Sequence, residues 1–205
     1  MTRVFISGSI KIRHLEKEVI ERLKKIVASN FCVIIGDAGG VDSSVQAFLK
    51  EQGADSVIVY CSGAKPRNNL GPWGTKNVTA TAKPGTREFF TAKDKSMAED
   101  CDYGFMVWDA ASTGTLSNAL ELLRRKKPAL VFVNKTKQFL TIKSARDFES
   151  LLALMSDAAR ELACEKIEML SHAGLGKFSQ HDLFASSPPA GLAGSHSTAQ
   201  RQRVR

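Results

Sequence analysis

Five short apolar runs, Val4-Ser7, Cys32-Ile35, Val57-Cys61, Phe105-Trp108 and Ala129-Val133, recur along this chain with helical patterns between them. They are continuous rather than alternating in polarity, which is the pattern of strands buried on both faces. The intervening segments carry one apolar face each: Leu15, Val19, Leu23 and Ile26; Val45, Phe48 and Leu49; Phe89, Phe90 and Met97; Leu116, Leu120 and Leu123. Alternation of this kind predicts an α/β fold, a doubly wound, mainly parallel Rossmann-like sheet with helices on both faces. Gln138 to Ile142 is expected to add a short edge strand, and Ala145 to Met155 and Ala158 to Leu170 two more helices.

The length of 205 residues suits one domain with an extension. Residues 1–171 are expected to form that domain. From His172 the composition turns to Ser, Ala, Gly, Pro and Arg, which predicts a disordered tail over 172–205. No apolar run reaches the roughly 20 residues of a membrane span, and Met1-Thr2-Arg3 leads into a strand without a signal-peptide pattern, so a cytoplasmic protein with no membrane partner is expected. Cys32, Cys61, Cys101 and Cys164 are too scattered for a metal or disulfide framework and read as reduced, buried thiols. Three of the four histidines fall in the tail, and His14 opens the first helix, which leaves no histidine-based catalytic or metal site. Neither a metal nor a cofactor is implied. The net charge of +8 falls to +5 without the tail, a modest value that argues against nucleic acid as the partner.

In a doubly wound sheet, ligands bind beyond the carboxyl ends of the strands, where the strand order reverses. That rule gathers Gly8-Ser9, the turn Gly36-Asp37-Ala38-Gly39-Gly40-Val41-Asp42, the segment from Ser62 to Gly85, and Trp108 to Thr115. The glycine turn can bring backbone close to a ligand, with Asp37 and Asp42 accepting from ribose hydroxyls or base amino groups. Its bland reading is a tight turn whose Gly39 and Gly40 serve only the backbone. The second glycine turn, Gly114-Thr115, opens a helix whose free amides suit a phosphate or ribose, unless Thr115 is simply its N-cap.

The segment after the third strand combines Lys65, Arg67 and Lys76 with Asn68, Asn69 and Trp73. It reads either as a lid pairing with phosphate and stacking on a base, or as a surface loop anchored by Trp73. Lys93 and Asp94 flank the apolar face of the next helix. Arg67 and Lys93 are read as cations of the crevice and not as core residues, with a solvated ammonium as the bland reading of Lys93. Trp108 is read as stacking on a base or capping the core, and Asp109 as receiving a hydroxyl or capping a turn.

Gly8-Ser9, Gly36-Asp37-x-x-Gly40-Val41-Asp42 and the late Gly114-Thr115, in this order, resemble the SLOG superfamily of Rossmann-like proteins over about Arg3 to Val133. That superfamily includes the Lonely Guy phosphoribohydrolases and DNA-processing protein A. Arg67-Asn68-Asn69-x-Gly71-x-Trp73, Lys93-Asp94-x-x-Met97-Ala98 and Trp108-Asp109 are similar to its uncharacterised bacterial YspA-like branch. The resemblance implies a site for a nucleotide-type small molecule, a dimer through a helical face, and a sensor or accessory role. The alternative is an N-glycosidic hydrolase or transferase with Asp37, Asp42 or Asp109 as base or nucleophile. Where Lonely Guy enzymes carry Gly-Thr-x-x-Glu, this chain has Asn118. An amide can neither accept a proton nor attack as a carboxylate does, so no phosphoribohydrolase activity of that type is expected, and Asn118 is read as a hydrogen-bonding group for ribose or base.

Overall fold

The computed structural model describes residues 1–172, with the side chains of the last helix described through Lys166. The expected disorder of the tail concerns residues beyond that range, apart from His172, which ends the last helix. The five apolar runs form β1 (Arg3–Gly8), β2 (Cys32–Gly36), β3 (Val57–Ser62), β5 (Tyr103–Trp108) and β6 (Ala129–Val133), joined by β4 (Gly74–Val78) and β7 (Gln138–Ile142). They make one seven-stranded sheet in the order β4-β3-β2-β1-β5-β6-β7. All pairings are parallel except that of β6 with β7. The order reverses between β1 and β5, so the switch point lies above Gly8 and Trp108.

Helices cover both faces, as continuous apolar strands require. On one face Val4, Ile6, Val33, Ile35, Val59 and Val107 pack under α1 (Lys17–Ala28) and α2 (Val41–Glu51) through Val19, Leu23, Val45 and Leu49. On the other, Phe5, Ile34, Tyr60, Met106, Trp108 and Val131 meet α3 (Arg87–Asp100), α4 (Thr113–Arg124), α5 (Ala145–Leu152) and α6 (Asp157–His172) through Met97, Leu116, Leu120, Phe148 and Ala163. Cys32, Cys61 and Cys101 are buried, whereas Cys164 is only partly so. His14 does not open a helix; it precedes Lys17, where α1 starts.

The segment after β3 differs most from expectation. It is interrupted by β4, and residues 63–73 return along α2 as a crossover without a helix. Gln46 of α2 holds this crossover, accepting from the Leu70 amide at 3.0 Å while donating to the Gly36 carbonyl at 2.9 Å. Trp73 ends it at the amino edge of the sheet, 7% exposed among the α1 and α2 residues, with its indole donating to the Ala54 carbonyl at 2.7 Å. Trp73 is therefore an anchor on the side of the sheet away from the switch point, and no base can stack on it there. Trp73→Phe keeps most of the apolar burial but leaves that carbonyl without its donor, and is expected to cost about 1–2 kcal/mol in urea denaturation. An unchanged midpoint would contradict the anchor role.

Candidate functional site

Beneath the switch point lies a group of charges that local sequence patterns do not show as buried. Asp37 leaves β2 and is clamped by Arg67 of the crossover: the Arg67 amide and Nε donate to Oδ2 at 3.0 and 3.2 Å, and a terminal guanidinium nitrogen donates to Oδ1 at 2.7 Å. Asn68 donates to the Asp37 carbonyl at 2.9 Å. Lys93 of α3 reaches in from the opposite layer, 4% exposed, with its ammonium 2.7 Å from Asp94 Oδ1 and 4.0 Å from Asp37 Oδ1. Asp42, in the first turn of α2 and 5% exposed, accepts from the Ala38 amide at 3.2 Å.

The electrostatics follow from these contacts. Burial pushes the Asp37 carboxyl up, but the Arg67 hydrogen bonds and the Lys93 charge outweigh it and hold the group below the ordinary value. Burial dominates at Asp42, whose pKa rises to about 6 despite the nearby ammonium of Lys93. At Lys93 burial opposes the charge, yet Asp94, Asp42 and Asp37 together raise its pKa and keep it protonated. Lys93 is thus a buried cation, neither solvated nor outside the core. Arg67 is committed to Asp37 and lies over the Phe90 ring, 4.3 Å from its centroid.

The early glycines serve this interior. A methyl at Gly36 would overlap Asp42 Oδ2 and Lys93 Nζ, and one at Gly8 would overlap the Val107 carbonyl and the Val41 side chain. Gly40, at φ 68°, caps α2 and lies against the backbone of Ile10. Gly39 and Gly114 are different: a Cβ at Gly39 meets nothing within 4 Å, and one at Gly114 meets only Ser112 Oγ at 4.0 Å.

Gly114 borders a cavity of about 460 Å³ enclosed by the loop after β1, α3, the first turns of α4, and α6. Asp94, Asp109, Gly114 and Asn118, expected from the sequence, line it together with Ile10, Lys11, Arg87, Phe90, Leu162 and Lys166. Ile10 and Leu162 are 65% and 45% exposed. Arg87 donates to Thr113 Oγ1 at 3.3 Å. Asp109 caps the approach to α4, its Oδ1 accepting from the amides of Ala111 and Ser112 at 3.0 and 2.7 Å, while its own amide donates to the buried Ser9 hydroxyl. Ser112 is the N-cap position, so Thr115 is not; its hydroxyl lies 3.3 Å from Ser112 Oγ and 3.5 Å from Ser9 Oγ. Asn118 does more than satisfy the first helical turn, donating to Ser7 Oγ of β1 at 2.9 Å.

Several expected site residues stand outside the cavity lining: Gly8, Ser9, Gly36, Asp37, Gly39, Gly40, Asp42, Arg67, Asn68, Lys93 and Thr115. Trp73 is remote. Trp108 is fully buried, its indole donating to the Ser112 carbonyl at 3.0 Å, and so belongs to the core instead of offering a stacking face. The residues missed by sequence reading are Ile10 and Lys11, Arg87, and Leu162 and Lys166. Arg87 had a signal in Thr86, the N-cap whose hydroxyl accepts from the Phe89 amide, because it marks Arg87 as the first residue of a helix rising from the carboxyl edge. Nothing local points to the α6 residues. No group of acidic, histidine or cysteine residues suited to a metal occurs among the described residues, and no described helix is long and apolar enough to cross a membrane.

No protein-family model matches the chain, and no curated protein matches it. Among solved structures it is similar to DNA processing protein A from Streptococcus pneumoniae, at 14% identity over 63% of this chain and 50% of that one, with a TM-score of 0.46. The chain thus spans half the length of that protein. DNA processing protein A from Helicobacter pylori, described with a single-stranded DNA binding mode, aligns at 15% identity over 82% of this chain and 81% of that one, with a TM-score of 0.49. The molybdenum cofactor carrier protein from Chlamydomonas reinhardtii aligns at 18% identity over 83% and 98%, with a TM-score of 0.48. These are likenesses of fold alone, at low identity.

Proposed function

We propose that the cavity at the switch point binds a nucleotide or nucleotide-derived ligand in a sensor or accessory role, with the phosphate at the first turn of α4. The observation that carries this reading is convergence: the amides of Thr113 and Gly114, which lack intrahelical acceptors, meet Arg87 and Lys11 around a space of about 460 Å³. That volume is within the range of small-molecule sites. Exposed Ile10 and Leu162 at the rim supply apolar surface for a base, and Lys166 adds a third cation.

Binding is favoured over glycosidic cleavage because the candidate carboxylates are engaged. Asp37 is held by Arg67, Asp109 by two amides, and Asp42 is buried outside the lining. Incubation with adenosine monophosphate is expected to release no adenine by chromatography; release abolished by Asp37→Asn would reverse this preference.

Gly114→Val tests the site itself. Its Cβ enters open space, so the ligand-free melting midpoint is expected to stay within a few degrees of wild type, in keeping with a helix-propensity cost below about 1 kcal/mol. The stabilisation that nucleoside monophosphates give the wild type should disappear, because the new methyls occupy the phosphate position. Stabilisation of the variant equal to that of wild type would move the ligand elsewhere. Single-stranded DNA is the control: steeply salt-dependent retention would identify a phosphate-backbone partner instead.

A further inference from the structure

One face of α3 lines the cavity with Arg87, Phe90, Thr91 and Asp94. Their spacing places them in a row about 10 Å long at 1.5 Å per residue. Chemistry changes along this row. Arg87 stands at the outer end beside Thr113, whereas Asp94 lies two turns further into the fold. On the facing wall α4 follows the same course, with Gly114 in its first turn and Asn118 one turn inward, where it is tied to Ser7 of β1. At the outer end Arg87, Lys11 and the first amides of α4 outweigh Asp109, whose Oδ1 is already taken by two amides, and suit an anion; at the inner end the Asp94 carboxylate repels one.

What the inner end still offers is hydrogen-bond acceptance. The wall hydroxyls are spent on their own helices, Thr91 donating to the Arg87 carbonyl at 2.8 Å and Ser117 to the Thr113 carbonyl at 2.7 Å. Asn118 donates from its amide nitrogen to Ser7, and its amide oxygen can only accept. Asp94 gives Oδ1 to Lys93 at 2.7 Å, and its side chain, still 23% exposed, lines the cavity. Its position is fixed from behind, because Lys93 is buried and also faces Asp37, which Arg67 clamps. With its charge already met by the Lys93 ammonium, Asp94 suits a neutral donor, and the apolar surface for a base lies elsewhere, at Ile10 and Leu162.

We propose that the inner end of the cavity is a diol subsite in which Asp94 accepts from the vicinal hydroxyls of a ribose, so that the protein selects ribonucleotides over 2′-deoxyribonucleotides. This inference rests on the nucleotide reading of the same cavity and specifies the sugar. Ionised acceptors discriminate strongly, since the deoxy ligand leaves the carboxylate desolvated and without its donor.

Calorimetric titration of the full chain with adenosine 5′-monophosphate and with its 2′-deoxy and 3′-deoxy counterparts tests it. Wild type is expected to bind the ribonucleotide about 10-fold or more tightly than either deoxy form. In Asp94→Asn that ratio should fall severalfold toward unity, and a ratio unchanged by the substitution would overturn the assignment of Asp94. Equal affinity of wild type for ribo and deoxy forms would overturn the diol subsite while leaving nucleotide binding intact. Binding of none of the three, repeated with the guanosine, cytidine and uridine series, would overturn the nucleotide reading itself. Should Asp94→Asn fail to fold, the three-ligand comparison on wild type still decides.

Discussion

Lys93→Met is expected to destabilise the protein by about 3–5 kcal/mol at neutral pH, the effect of removing one member of a buried ionic group and leaving the others uncompensated. The aliphatic part of methionine fills most of the channel occupied by the lysine stem, so packing contributes little to the loss. What remains is electrostatic: Asp37 just after β2, Asp42 on α2 and Asp94 on α3 face the vacated position, opposed by Arg67, whose side chain is 42% exposed. Urea denaturation at pH 7 measures the loss. A second substitution should recover part of it, because Lys93→Met with Asp94→Asn removes the carboxylate nearest the missing ammonium. A loss below about 1 kcal/mol, with no recovery in the double variant, would show that water enters the group and screens it.

Asp42→Asn is expected to stabilise the protein at neutral pH and to make no difference near pH 4. A carboxyl whose pKa rises on folding, from an ordinary value of 3.8 to about 6, holds its proton more tightly in the native state. Its contribution is therefore most favourable at low pH and is lost as pH rises through this window, by roughly 2–3 kcal/mol at 1.36 kcal/mol per pKa unit. Asp37 acts in the opposite sense, since its lowered pKa contributes stability above the ordinary carboxyl range that is lost only as pH falls through its folded value. Subtracting the variant's stability from that of wild type at each pH from 4 to 7 isolates Asp42, provided that Lys93, Asp94 and Asp37 keep their places around it. A difference independent of pH would mean that Asp42 is ionised throughout and that the Lys93 charge outweighs burial.

The sheet was legible because its strands advertise themselves. Runs such as Cys32-Val33-Ile34-Ile35 have no polar face, and only a strand covered on both sides accommodates them. β4 carried no such signal: Gly-Thr-Lys-Asn-Val is almost wholly exposed at the sheet's edge, so it read as part of a long loop, and Trp73 with it as part of a lid. The topological rule gathered the turn that carries Asp109 and Gly114, which line the cavity, whereas Asp94 was singled out by its place beside the apolar face of a helix and Asn118 by the family resemblance. Individual roles were less visible. The glycine turn looked outward in sequence, whereas Gly8, Gly36 and Gly40 make room for protein atoms, a property of tertiary approach and not of spacing. The burial of Lys93 was hidden for the same reason, because its counter-charges come from β2 and α2, far away in the chain.

The two outer strands also govern how copies of this protein can meet. An unprotected edge strand is a template on which another chain extends the sheet. β4 blunts one edge with Gly74 and Lys76, whose ammonium is fixed by Asp100, while Asn77 turns back to the carbonyls of Gly63 and Ala64. β7 at the other edge is five residues long, runs against its neighbour and is flanked by Lys137 and Lys143. Extension of the sheet from one molecule to the next would place ammonium groups in the new seam. Association of two molecules sheet edge to sheet edge is therefore disfavoured at both ends of the sheet.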